Sequence, residues 1–311
     1  MMQTHPLETL MLNYLDEKDI TIGTRALYQT ILKQYVNYLK YTQITHPKTK
    51  DVLAYLDMIK YKGYSDNWLR HQITVLKGMY QYLSLNYKRL SLDVSYGIDI
   101  TAPIQNISVT KFLSKPTLTK AEAKHLILYL KHNRQFIWHY RDYAIIFLML
   151  TTGLRSIEIR RSKIKDIKFL HGHKVLFIQG KGRDYADSFV KLPDGVYVAI
   201  KDYLNKRLDQ SPYLFVSKGK NAKSMLSRPN IIYIIKRVLK HSGLEHTKIT
   251  AHSLRHTAAT FNRNSGGSMK ETKDFLRHSH MSSTRLYTKD AQMKDDDTIL
   301  KLENFILNDK D

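Results

Sequence analysis

The helical spacing of apolar residues breaks off near residue 90 and resumes near residue 118, and this break divides the chain in two. Residues 91–117 mix Ser, Gly, Asp and Thr, and Pro103 and Pro116 interrupt any remaining period. We interpret this stretch as an extended linker. The predicted organisation is a helical domain, a linker and a second domain, at residues 1–95, 96–117 and 118–311.

The first domain shows four helical segments and no strand signal. The first segment runs from Leu7 to Asp16. The second and fourth segments have candidate caps in Thr24 and Ser65, and the third ends at Gly63. The three longer segments carry apolar residues at helical spacing: Leu27, Tyr28, Ile31, Leu32, Tyr35, Val36 and Leu39; Val52, Leu53, Leu56 and Ile59; Leu69, Ile73, Leu76, Met79, Tyr80 and Leu83. This pattern predicts a compact all-α bundle.

The second domain opens with a helix start signal, because Thr119 is followed three residues later by Glu122, as in a capping box. We expect this helix to reach about Asn133. A more buried helix, Tyr140 to Thr151, then runs into Gly153.

From Ile164 to Pro193 the spacing changes to that of short strands. Two Gly-containing turns, at 171–173 and 180–182, separate β-branched and aromatic runs, which predicts a three-stranded antiparallel meander. The chain then returns to helix through Leu307. The predicted fold class is mainly α with a small antiparallel β-meander.

The net charge of +22 and the pI near 9.8 indicate a polyanionic partner, either nucleic acid or an anionic membrane surface. Most of this charge, +18, lies after residue 95. The longest apolar run has seven residues, whereas a membrane span needs roughly 20, so we expect no span. Residues 1–8 lack the charged start and apolar core of a signal peptide, so we expect none there. The absence of cysteine excludes disulfides, zinc–thiolate sites and thiol nucleophiles, and it fits a reducing compartment such as the cytoplasm.

Arg155 directly follows a Gly-Leu turn at the end of the buried helix. An arginine held there by rigid neighbours suits two-point binding of a phosphate, and Glu158 could hold its guanidinium. The alternative is an ordinary Arg–Glu pair on a helix face.

His252 and Arg255 are three residues apart, so on a helix they share a face and can reach one ligand together. Arginine supplies charge, and histidine supplies a hydrogen-bond donor or a transferable proton near neutral pH. The alternative is a solvated basic face.

Two further residues, Lys181 and Tyr287, indicate a function only together with the other candidate site residues. Lys181 lies in a Gly-flanked turn, from which a lysine can swing into a groove, although a solvated turn lysine is the simpler interpretation. Tyr287 follows His278 by nine residues. A tyrosine hydroxyl is a weak nucleophile, with a pKa near ~10, unless cations hold the phosphate that it attacks.

Together these pieces resemble the tyrosine recombinases, the phage-integrase family that includes Xer-type recombinases. The family boxes T-G-L-R-x-x-E, G-K-G, H-x-L-R-H and L-G-H-S followed by T-x-x-Y match residues 152–158, 180–182, 252–256, and 276–279 with 284–287. Two positions depart from the pattern. Arg277 replaces the usual glycine, and Ile157 replaces a frequent serine. We expect Arg277 to lie beside the active site and to contact the DNA backbone.

The resemblance implies a site-specific DNA recombinase that cuts and rejoins duplex DNA through a 3′-phosphotyrosyl link, with no metal or other cofactor. It implies a nucleophile, Tyr287, and two arginines, Arg155 and Arg255, that stabilise charge on the phosphate. Lys181 would be the general acid, His252 a general base or proton shuttle, and His278 a hydrogen-bond donor to the phosphate.

The expected partners are double-stranded DNA and further copies of the chain, as a tetramer on two DNA sites in the cytoplasm. The stretch Thr298 to Leu307 has an apolar stripe that, in such recombinases, docks on a neighbouring protomer; packing on its own domain is the alternative. A non-cleaving DNA-binding protein of the same fold is the alternative function. A metal site at His171 and His173, or at His278 and His280, is a weaker one, because no carboxylate cluster lies nearby.

Overall fold

The computed structural model describes residues 5–107, 116–180, 185–217, 224–277 and 298–307. The chain divides into two compact units, residues 1–113 and 114–311, and each unit has its own apolar core. Within the described residues, helices dominate and the strands form one three-stranded sheet, which confirms the predicted fold class. None of the helices in these ranges combines the length and apolar composition that a membrane span needs.

The first unit contains the predicted helices α1 to α4, at Pro6–Asp16, Ile22–Tyr41, Thr49–Tyr61 and Asp66–Asn86. Ser65 caps α4 as predicted, since its hydroxyl accepts a hydrogen bond from the backbone N–H of Trp68. The cap of α2 is Thr21 instead of Thr24, because the Thr21 hydroxyl accepts the N–H of Thr24 at 3.3 Å. Two threonines three residues apart look alike as caps in the sequence.

The first unit extends beyond residue 95, into the stretch interpreted as a linker. Ile104 is buried against its core, and the hydroxyl of Thr49 donates to the carbonyl of Ile100 at 2.8 Å. The carboxylates of Asp93 and Asp99 accept backbone N–H groups two residues on. Such turns satisfy the backbone without a periodic element, so an aperiodic segment can still pack on a core.

The second unit contains α5 to α12 and β1 to β3. The helices are Lys120–His132, Ile137–Thr152, Ser156–Arg161, Asp194–Lys206, Arg228–His241, Ala251–Asn264, Met269–Phe275 and Thr298–Leu307, and the strands are Ile167–Leu170, His173–Ile178 and Ser188–Lys191. Thr119 and Glu122 form the predicted capping box. The strands pair antiparallel in the order β1-β2-β3, as expected for a meander.

Helix α6 lies at the centre of the second unit, where α5, α8 and α10 pack against it. Every residue from Arg141 to Thr152 is buried, and a helix that is buried on all sides cannot carry an amphipathic pattern. Its end is fixed by Gly153, which adopts a left-handed conformation with φ of 59°. The chain therefore leaves the core at a defined point, two residues before Arg155.

Helix α12 packs on its own unit, which was the alternative to docking on a neighbour. Leu302 and Ile306 are fully buried in the core of the second unit. The carboxylate of Glu303 reaches the first turn of α8 so closely that a Cβ on Gly195 would overlap its Oε1. Apolar burial and this close approach together fix the position of the helix.

Replacing Leu302 by alanine should therefore lower the free energy of unfolding by about 2–5 kcal/mol, the usual cost of a buried Leu-to-Ala change. Urea unfolding of the full chain measures this. Leu208, which is 98% exposed in the same unit, gives the matched control Leu208→Ala, expected within about 0.5 kcal/mol of the unmodified chain. Equal effects of the two substitutions would contradict the packing of α12 on this core.

Candidate active site

The turn between α6 and α7 presents Arg155 on a rigid support. Arg155 is the residue that caps α7, directly after the buried Leu154. A Cβ on Gly153 would lie 3.1 Å from the side chains of both Leu276 and Phe275. Glycine is thus required at 153 both for its backbone angle and for this close packing.

The side chain of Glu158 holds Arg155 as the sequence suggested. Its Oε2 accepts the backbone N–H of Arg155 at 2.7 Å, and its Oε1 accepts Nη1 of the same arginine at 2.8 Å. Glu158 is 1% exposed, whereas the side chain of Arg155 is 33% exposed. A buried carboxylate therefore anchors one edge of a guanidinium whose remainder reaches solvent.

Arg255 approaches the same turn from α10, whose first residues are capped by Thr250. Its side chain is buried, and its guanidinium donates to the carbonyls of Gly153 and Leu276. The two predicted arginines thus meet at the carboxyl end of α6, although 100 residues separate them in the chain. The negative end of a helix dipole favours cations at this position.

Of the four remaining predicted site residues, the structure describes His252. His252 is exposed on α10, with its ring centroid 4.6 Å from that of His256. Lys181, His278 and Tyr287 lie outside the described residues. The carbonyl of Gly180, the last described residue before Lys181, accepts a hydrogen bond from Arg161 at the end of α7.

The side chain of Arg277 turns towards the protein interior, whereas the sequence predicts a contact with the DNA backbone. The side chain is 10% exposed, and its guanidinium donates to the carbonyl of Phe275 at 3.0 Å and lies 3.5 Å from Oε2 of Glu158. A buried carboxylate attracts a neighbouring cation more strongly than solvent does. Sequence reasoning missed this contact, although the glycine usual at position 277 signals a left-handed backbone that aims the side chain differently.

The electrostatics of the cluster formed by Arg155, Arg255, Arg277 and Glu158 favour an anion. Burial, followed by the charges of Arg155 and Arg277, lowers the pKa of Arg255 to about 9. Burial alone raises the pKa of Glu158, but the charges of Arg277 and Arg155 and the hydrogen bonds from Arg155 bring it below its usual value. Two guanidinium groups, those of Arg155 and Arg277, thus contact the Glu158 carboxylate, and the third, that of Arg255, lies close to them, so that a bound phosphate would balance the surplus positive charge.

No group of three or more His, Asp or Glu side chains that could hold a metal ion occurs among the described residues. The weaker metal hypothesis at His278 and His280 falls outside them. His171 and His173 lie at the turn between β1 and β2.

Comparison with known protein families finds a matching family domain in each of the two units. The sequence profile described as "Phage integrase family" matches residues 116–294. The chain belongs to the phage integrase family. A second profile, the N-terminal SAM-like domain of phage integrases, matches residues 10–86. The family resemblance predicted from the four boxes is thereby confirmed.

Curated relatives of this phage integrase family member are tyrosine recombinases. It is 29% identical to tyrosine recombinase XerA of Pyrococcus furiosus over 91% of this chain and 91% of the relative. It is 30% identical to tyrosine recombinase XerC of Caldanaerobacter subterraneus over 79% of this chain and 66% of the relative.

Solved structures agree on the fold. A XerH site-specific recombinase bound to palindromic difH substrate has a TM-score of 0.68 and 21% identity, over 88% of this chain and 78% of that one. A lambda integrase dimer bound to a COC′ core site has a TM-score of 0.63 and 16% identity, over 89% of this chain and 96% of that one. At these identities the likeness establishes the fold.

Replacing Glu158 by glutamine should lower the free energy of unfolding at pH 7 by about 3 kcal/mol, because it leaves two guanidinium groups without their buried carboxylate. The folded pKa of Glu158 is depressed, so its stabilisation is present above the unfolded pKa of about 4.3 and is lost as the pH falls through the folded value. Glu158→Gln should therefore also weaken the fall in stability at acid pH.

Urea titrations between pH 3 and 7 measure both effects. The exposed Glu245 provides the control Glu245→Gln, for which we expect a change below about 0.5 kcal/mol. If the two variants lose the same stability, Glu158 does not anchor the cluster.

Proposed function

We propose that this protein is a site-specific DNA recombinase that cuts and rejoins duplex DNA through a 3′-phosphotyrosyl intermediate. The observation that carries the proposal is the convergence of Arg155 and Arg255 on one turn, with Glu158 fixing the first of them. Two guanidinium groups held in this way match the geometry of a phosphodiester better than mobile lysines do. Membership of the phage integrase family supports the same chemistry.

In the proposed reaction, the Tyr287 hydroxyl attacks the scissile phosphorus and forms a phosphotyrosyl bond to the 3′ side, while the bond to the 5′ oxygen breaks. Arg155 and Arg255 stabilise the charge that develops on the non-bridging oxygens. His252 takes up the tyrosine proton, and Lys181 gives a proton to the leaving 5′ oxygen.

His278 donates a hydrogen bond to the phosphate in this scheme. The 5′ hydroxyl of a partner strand then attacks the phosphotyrosyl bond and releases Tyr287, so the phosphodiester is restored without ATP, a metal or another cofactor. Phosphoryl transfer of this kind depends on positioning and charge stabilisation, and removal of one preorganised donor costs about 10²–10³ in rate.

Double-stranded DNA is the proposed partner, in line with a net charge of +22. Each phosphate neutralised by a lysine or arginine releases counterions, so the affinity should fall steeply with salt. We further propose that the N-terminal helical unit and the catalytic unit hold the same duplex, and that the chain assembles as a tetramer on two sites in the cytoplasm. Integration, excision or resolution of a mobile element or replicon is the biological outcome that fits this reaction.

The decisive experiment is covalent trapping. The preferred duplex is first selected with the purified protein and then synthesised with a nick beside the scissile phosphate, so that the cleaved end is lost and the phosphotyrosyl complex accumulates. We expect the unmodified chain to give a covalent complex and Tyr287→Phe to give none, while both bind the duplex equally.

Tyr233, which is 62% exposed on α9, supplies the control Tyr233→Phe, expected to retain trapping. If the unmodified chain binds the selected duplex but forms no covalent complex with it, the non-cleaving alternative is supported. Trapping that survives in Tyr287→Phe would assign the nucleophile to another residue.

A further inference from the structure

Arg277 occupies a backbone conformation that glycine adopts more easily. Its φ is 50°, in the left-handed region, where a residue with a Cβ is disfavoured by about 1 kcal/mol. The usual residue of the family box at this position is glycine, which has no such cost. The side chain of Arg277 must therefore compensate through its contacts.

These contacts join two turns that belong to different boxes. The guanidinium donates to the carbonyl of Phe275 at 3.0 Å, and its Nη1 and Nη2 lie 3.4 and 3.5 Å from the carbonyl oxygen of Thr152. Nη2 also pairs with Oε2 of Glu158 at 3.5 Å. Arg277 thus connects the segment before His278 to the segment that carries Arg155.

As a result, the two oxygens of the Glu158 carboxylate contact the side chains of two different arginines. Its Oε1 binds Nη1 of Arg155, while Oε2 faces Arg277 and the backbone N–H of Arg155. Arginine and a carboxylate otherwise favour a contact with two parallel hydrogen bonds. Without Arg277, Oε2 could attract a second nitrogen of Arg155 and turn that guanidinium towards the protein interior.

We propose that Arg277 is a positioning residue for DNA cleavage, which occupies Oε2 of Glu158 so that Arg155 keeps a single side-chain contact with the carboxylate and directs its other N–H groups to the scissile phosphate. The inference rests on the proposed function, since it concerns the same phosphate. It assigns Arg277 no contact with DNA, in contrast to a surface arginine that binds the backbone.

The test compares Arg277→Gly with Arg277→Lys in single-turnover cleavage of the nicked duplex at saturating DNA. Arg277→Gly should lower the cleavage rate constant by at least about tenfold, because misplacement of a reacting group by about 1 Å can cost up to ~10²-fold. Arg277→Lys keeps a positive charge beside Glu158 and should retain more of the rate. A purely structural role predicts the opposite order, since glycine suits the backbone angle better than lysine does.

Lys248 provides the matched control, because it is an exposed cation with φ of 53° in the same unit. Lys248→Gly relieves the same backbone strain and removes the same charge, and its saturating cleavage rate should equal that of the unmodified chain. Equilibrium binding should show that Arg277→Gly keeps the Kd within about twofold and keeps its salt slope, whereas a lost phosphate contact would reduce the slope by about one.

A double-substitution cycle tests the route through Glu158. In a Glu158→Gln background, Arg277→Gly should change the cleavage rate by less than about threefold, because residues that act through one another are not additive. An undiminished effect in that background, a rate for Arg277→Gly equal to that of the unmodified chain, or a loss confined to Kd would each overturn the inference. Failure of the unmodified chain to cleave at all would instead defeat the proposed function, and this inference with it.

Discussion

A carboxylate that is 1% exposed is stable only where cations and hydrogen-bond donors surround it, and Glu158 meets this condition through Arg155 and Arg277. The other described residues of the site pack around this carboxylate and its two arginines. Gly153 gives the turn its shape, and the carbonyls of Gly153 and Leu276 receive Arg255 from α10. Three stretches that are far apart in sequence therefore meet at the carboxyl end of one buried helix.

The arrangement leaves more positive than negative charge in a poorly solvated place. Arg255 shows the consequence, because burial and its two arginine neighbours lower its pKa to about 9. A phosphate that enters between Arg155 and Arg255 would relieve this repulsion, so binding of the substrate and stability of the fold are linked. The fold already holds Arg155 and Arg255 in place, and cations fixed in this way need little rearrangement when they stabilise an anion.

Much of this could be predicted from the sequence, and the exceptions have physical reasons. Periodicity and caps such as Ser65 and the Thr119 capping box located the helices, because these signals are local. The burial of Ile104 could not be predicted, since irregular turns carry no period. The inward course of Arg277 was also missed, because its partner Glu158 lies 119 residues away and only the fold brings them together. The family boxes indicated the chemistry, but only the folded structure shows that Arg155 and Arg277 share the carboxylate of Glu158.

The single phosphate site is tested most stringently by a crystal structure of the Tyr287→Phe variant bound to its selected duplex. We expect one phosphate whose non-bridging oxygens lie within about 3 Å of both Arg155 and Arg255, with the substituted ring at position 287 facing its phosphorus. Glu158 would still divide its oxygens between Arg155 and Arg277. A duplex whose nearest phosphate contacts only one of the two arginines, or neither, would show that they do not form one phosphate site.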